Sequence, residues 1–197
     1  RVLFRSAEMR RRRELVSAAL AEAGADHLVF CGYNRAGSAV QWLTQWPVTT
    51  EALGVFSPGL PDALFVQWVN HAPLARRFAA DAEIVEWGGE ASIRKVVDVL
   101  DRRGAKTDRV AVIGPMPFEQ HAALAAKFGR IVSLNRVYQR LRAVKSAEEI
   151  DWLRIGAAMS DAGMAALRDA IRPGVSERQL GDAVERAYVA EGGGTGI

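Results

Sequence analysis

The chain has 197 residues, 49% hydrophobic and 25% charged, close to the globular norm and enough to bury at least one core. That composition excludes disorder, collagen-like repeats and a disulfide-stapled mini-scaffold. No stretch approaches the roughly 18 uncharged apolar residues of a membrane span, so a soluble, unexported, cytoplasmic protein is expected. The net charge of +3 is local: residues 1–13 carry six arginines against Glu8, a net of +5, which leaves −2 for the rest.

Arg10 to Arg13 fall at the start of a helical pattern over residues 8–23, where Leu15, Ala18, Ala19 and Ala23 recur and Gly24 follows as a C-cap. They read as a solvated helix face. No aromatic-rich sheet face or zinc-finger spacing accompanies them, which argues against nucleic-acid binding. His27 to Gly32 reads as a buried strand, and Val40 to Trp46, mixing aromatic and β-branched residues, as another that Pro47 interrupts. Leu53–Ser57 and Leu64–Val69 predict a hairpin connected through Pro58 to Ala63.

Helices near Leu74–Ala80, Ser92–Arg103 and Phe118–Phe128 then alternate with strands at Glu83–Trp87, Arg109–Gly114 and Ile131–Leu134. Val110, Val112, Ile131 and Val132 are the expected strand cores. This alternation predicts an α/β fold with helices packed on a mixed sheet. After Arg140 long helices take over. Ser146 with Glu149, and Ser176 with Gln179, are capping boxes, each followed by an apolar stripe. The first stripe runs through Ile150, Leu153, Ala157, Met164, Leu167 and Ile171, and Arg172-Pro173-Gly174 stops it. The second carries Leu180, Val184 and Tyr188.

The residue types that do chemistry are sparse. His27, His71 and His121 lie at element boundaries, and no two share a metal-ligand spacing such as HExxH. Asp161 and Asp182 sit on different helices, which argues against a paired acid and base. No G-x-S-x-G elbow is present. Cys31 lies in an apolar run that should raise its thiol pKa and leave it inert. The glycines Gly192 to Gly196 follow a helix, unlike a phosphate-cradling loop, which opens one. No catalytic or metal-ligating residue is therefore named. The chain lacks a starting Met, Leu3-Phe4-Arg5-Ser6 matches the in-frame translation of a common sequencing-adapter string, and the last helix runs into glycines. An open reading frame cut at both ends is expected, with residues 1–6 not native.

Leu141-Arg142-Ala143-Val144-Lys145-Ser146-Ala147-Glu148-Glu149-Ile150, followed by Ile171-Arg172-Pro173-Gly174-Val175-Ser176-Glu177, resembles the junction and first helices of the pita-bread metallopeptidases. That group includes aminopeptidase P, prolidase and creatinase. Gln41-Trp42-Leu43-Thr44-Gln45-Trp46 is similar to the family's Tyr-Leu-Thr-Gly-Phe segment, with Gln45 in place of the glycine and Ala39 where an asparagine is frequent.

The resemblance implies a creatinase/prolidase N-terminal-like α/β domain over residues 7–138 and a truncated start of the pita-bread catalytic domain over residues 142–197. It implies a parent enzyme with two divalent metal ions (manganese, cobalt or zinc), acting as a homodimer on a peptide or small amide. The metal ligands of that family lie past Ile197, so no cofactor is expected in this chain. The accessory domain would help dimerise and narrow access, with Trp42 and Trp46 as candidate residues of the substrate-access rim and sheet-face packing as their alternative role. Two other readings stand beside this one: a non-catalytic binding or assembly module, and a small-molecule-binding regulator.

Overall fold

A computed structural model describes residues 4–33 and 36–194. Residues up to Val144 and from Lys145 onward form two compact units. In the first unit, α1 (Ser6–Glu22) leads into β1 (His27–Tyr33), then α2 (Ala39–Thr44), β2 (Glu51–Phe56) and β3 (Asp62–Val66). A short 3-10 turn over Val69–His71 precedes α3 (Ala72–Phe78) and β4 (Ala82–Trp87). The unit continues with α4 (Ser92–Arg102), β5 (Val110–Ile113), α5 (Phe118–Phe128), β6 (Ile131–Ser133) and α6 (Asn135–Ala143).

The strands form one six-stranded mixed sheet in the order β4-β3-β2-β1-β5-β6. β2 is antiparallel to both β1 and β3, while β1/β5, β3/β4 and β5/β6 are parallel. Helices cover both faces, which explains why β1, β2 and β3 read as nearly unbroken apolar runs. The period of two assigns the faces. Leu28 and Phe30 pack with Val16 and Leu20 of α1, with α2 and with Tyr138 of α6. Val29 and Cys31 pack on the other side with Val96, Val99 and Leu100 of α4 and Leu124 and Phe128 of α5. Each such buried side chain contributes about 1.5–3 kcal/mol. Phe30 lies opposite Gly54 in the β1/β2 register, and a Cβ on Gly54 would collide with the Phe30 ring.

The expected α/β class and the β2–β3 hairpin are both present. Val40–Trp46 is different: residues 39–44 form the short helix α2, not a strand. Five of its six residues are buried, so no solvent-facing period distinguishes helix from strand there. Thr44 Oγ1 donates to Val40 O at 2.7 Å, and Gln45 closes the helix in the left-handed region at φ 63°. α6 is a helix that the sequence pattern does not announce. Ile131 and Val132, expected as strand cores, are only half-buried, because β6 is a three-residue edge strand.

The second unit pairs α7 (Ala147–Ala170) with α8 (Glu177–Ala190). Both capping boxes form: Glu149 N donates to Ser146 Oγ at 3.1 Å and Ser146 N to Glu149 Oε2 at 2.9 Å, and Ser176 with Gln179 repeats the pattern. Gly174, at φ 83°, reverses the chain between the helices. Gly192 N and Gly193 N donate to Val189 O and Tyr188 O, so these glycines cap α8; residues 195–197 lie outside the described part. Ile150, Leu153, Met164 and Ile171 are exposed, and Gly163 is the one buried residue of α7 among those described. Amide exchange in α7 and α8 is therefore expected to be faster than in β1 and β5. Equal protection, measured by mass spectrometry, would contradict this.

Candidate functional site

Of the α1 arginines expected on a solvated face, Arg10 is exposed, whereas Arg11 and Arg13 are half-buried and Arg12 is enclosed. Arg12 is 1% exposed, with Nε donating to Glu8 Oε1 at 2.7 Å and Nη1 to Trp42 O at 2.8 Å. Its guanidinium lies 3.9 Å from the centroid of Phe4 and 5.1 Å from that of Trp42. Arg11 makes two hydrogen bonds to the same Glu8 carboxylate. Arg13 Nη1 donates to Asp62 Oδ2 at 2.5 Å and Nη2 to Leu60 O at 3.0 Å. From the far end of α4, Arg103 donates to Ser57 Oγ at 3.0 Å and Pro61 O at 2.6 Å. Two arginines from opposite faces thus grip the β2–β3 turn.

Asp62 is 1% exposed, and its Oδ1 has no hydrogen-bond partner among the described residues. Burial pushes its carboxyl up to about 6, against the pull of Arg13 and Arg103 and with the help of Asp81. His27 Nδ1 sits 2.8 Å from Ser57 Oγ, and burial holds its ring below the ordinary histidine range. This buried network fixes helices to the sheet, and His27 and Ser57 also line an open cavity of about 580 Å³ with Asp26 and Arg109.

His71 lies tilted against Trp46, ring centroids 5.6 Å apart, His121 lies in α5, and Asp161 and Asp182 are exposed on separate helices. Among the described residues, no three His, Cys, Asp or Glu side chains form a group able to hold a metal ion. No described helix is long and apolar enough to cross a membrane. Cys31 donates to Ile113 O at 3.2 Å, and burial, with Glu51 adding, pushes its thiol up to about 12. Iodoacetamide at pH 8 is expected to leave native Cys31 unmodified and to alkylate it fully once the chain is unfolded. Rapid native labelling, read by intact mass, would contradict the burial.

Trp42 and Trp46 are both buried within the first unit, at 6% and 4% exposure. Trp42 meets Tyr138 edge-on at 5.6 Å and Trp46 meets Phe78 at 6.2 Å. They present no open ring to solvent. Two other tryptophans do. Trp68 and Trp87, 50% and 52% exposed, line an open cavity of about 600 Å³ together with Val69, Gln67, Arg94 and Lys95.

The sheet brings these two rings together. β3 and β4 run parallel with Val66 opposite Trp87, so Trp68, two residues past Val66, emerges at the same end. Trp87 Nε1 donates to Gln67 O at 2.9 Å and Trp68 Nε1 to Thr50 Oγ1 at 3.3 Å. Gly89, at φ 53°, lies against the Trp87 ring where a Cβ would crowd it. Lys95 Nζ donates to Trp87 O at 2.7 Å and reaches Glu86 at 3.3 Å. Sequence reasoning passed over this cavity, whose one local signal is the Gly-Gly pair directly after Trp87.

No protein-family model and no curated protein matches the chain. Solved structures do. The X-Pro aminopeptidase of Thermotoga maritima superposes with a TM-score of 0.78 at 17% identity, over 92% of this chain and 49% of that one. The dipeptidase PepE of Mycobacterium ulcerans superposes with a TM-score of 0.68 at 26% identity, over 95% of this chain and 51% of that one. An aminopeptidase P from Streptococcus thermophilus is similar over 68% of this chain and 98% of that one, with a TM-score of 0.54 at 19% identity. The chain spans about half the length of the first two proteins.

Proposed function

We propose that this chain, whose fold is that of the N-terminal portion of Xaa-Pro peptidases, is the accessory and junction portion of a metal-dependent hydrolase of that kind. The observation that carries the reading is the superposition of more than nine-tenths of the chain on about half of two solved peptidases, those of Thermotoga maritima and Mycobacterium ulcerans. Residues 7–138 would form the accessory domain and residues 142–197 the first helices of the catalytic domain.

The parent protein would act on a peptide bond before proline or on a related small amide. It would use two divalent metal ions, manganese, cobalt or zinc, held by residues outside those described here. The accessory domain would contribute to a homodimer and restrict entry to the active site. In this reading Trp42 and Trp46 act from inside, by holding α2 against the sheet, rather than as exposed rings at a rim.

The purified 197-residue chain is expected to show no hydrolysis of Ala-Pro or Gly-Pro-Ala with added manganese. A longer product of the same gene, continuing past Ile197, is expected to hydrolyse such peptides and to lose that activity in chelator. Turnover by the 197-residue chain, or a longer product that is inert with every one of these metals, would overturn the reading.

A further inference from the structure

We propose that the Trp68–Trp87 cavity is a binding site for a small organic carboxylate with a flat apolar body, such as an aryl-substituted acid or an aromatic residue at a peptide C-terminus. The proposal is independent of the peptidase reading and concerns residues of the first unit alone. A volume of about 600 Å³ lies within the usual range for small-molecule sites. A single half-exposed tryptophan is ordinary, but two lining one concavity give it two apolar ring surfaces.

Both indole N–H groups are already engaged inside the protein, by Thr50 and Gln67. The rings are therefore anchored before any ligand arrives, and what they offer is apolar ring surface. Anchoring of this kind reduces the ordering cost of binding.

The polar lining supplies the sign of the charge. Arg94 and Lys95 face one acid, Glu90, in the lining. Lys95 is committed to Trp87 O and Glu86. Arg94 is exposed and has no ion pair or hydrogen bond among the described residues. A guanidinium without an internal partner beside aromatic rings is suited to a carboxylate, which it can bind through two parallel hydrogen bonds. A neutral ligand of the same shape would leave that fork unused. The concavity also suits a small molecule better than a second copy of the chain, since a stable protein interface buries about 800 Å² on each partner.

The test uses the full 197-residue chain, ¹⁵N-labelled, with 3-phenylpropionate as the probe and 3-phenylpropionamide as its uncharged counterpart. Trp68→Phe and Trp87→Phe identify two of the five indole signals. Those two signals are expected to shift saturably with a common midpoint, at a dissociation constant on the order of 0.1–1 mM for a ligand of this size. Both the amide and the Arg94→Gln variant should bind at least about fivefold more weakly, as loss of a charge-assisted hydrogen bond implies. Arg94 lies on the exposed face of α4, so its substitution leaves the fold intact and the titration readable even if a tryptophan variant does not fold. Failure of either indole signal to saturate, equal binding of acid and amide, or indifference to Arg94→Gln would overturn the proposal. So would movement of the two signals on dilution without ligand, which would assign the cavity to a second copy.

Discussion

Arg12→Ala is expected to destabilise the first unit by about 3 kcal/mol, the lower end of the range for breaking a buried ion pair. Truncation removes a charge partner from Glu8, itself 5% exposed, and a donor from Trp42 O. That carbonyl is in the last turn of α2, where helix carbonyls have no partner within the helix. The amide of Trp46, four residues on, goes instead to Thr44 Oγ1 at 3.2 Å. Arg12 therefore serves as a C-terminal cap for α2 delivered from another helix. Arg11 keeps its own bonds to Glu8, which is why the loss falls at the lower end. Guanidinium unfolding monitored by tryptophan fluorescence reads the change. A loss below about 1 kcal/mol, the scale of an exposed pair, would show that the burial of Arg12 carries little weight.

Asp62 is expected to make stability depend on pH in the direction opposite to most paired carboxylates. Its folded-state pKa, about 6, lies above the ordinary aspartate value of 3.8, so between these values the folded chain binds more proton than the unfolded chain. Stability contributed by this group then falls as pH rises through the window from about 4 to 6. Keeping Asp62 ionised at pH 7 costs the fold up to about 3 kcal/mol relative to pH below 4, at 1.36 kcal/mol per pKa unit. Arg13 and Arg103 favour the ionised form; burial, with Asp81 adding, outweighs them because Oδ1 is left unpaired. The difference in unfolding free energy between the wild type and Asp62→Asn should change by about 2 kcal/mol, most of that amount, between pH 7 and pH 4.5, acid favouring the wild type. A constant difference across that range would place the Asp62 pKa at its unfolded value.

These two groups also show what local sequence can and cannot carry. The strands at 27–33 and 110–113, the β2–β3 hairpin and both capping boxes rest on residues within a few positions of each other, and they were legible. Arg12 looked like one of four surface arginines because its decisive partner, Trp42 O, is 30 residues away. Asp62 falls inside the expected Pro58–Ala63 connection, and only the packing of α1 shows it to be enclosed. α2 reads as a strand in the sequence because a short segment buried on nearly every side has no readable period. Among the aromatics, the buried pair Trp42 and Trp46 stands out in sequence only through its family-like segment. The exposed pair Trp68 and Trp87, 19 residues apart in sequence, carries no local signal of meeting, which depends on the parallel pairing of β3 and β4.

The placement of β5 next to β1 has a consequence for synthesis. His27 pairs with Val110, and contacts across so many intervening residues are slow to form. At ribosomal speeds of about 5–20 residues per second, β5 emerges roughly 4–17 seconds after β1. During that interval the β1–β2–β3 meander can assemble locally, yet one edge of β1 stays open. A nascent chain paused between residues 66 and 110 would expose that edge to whatever strand arrives first, and chaperone dependence should be greatest there.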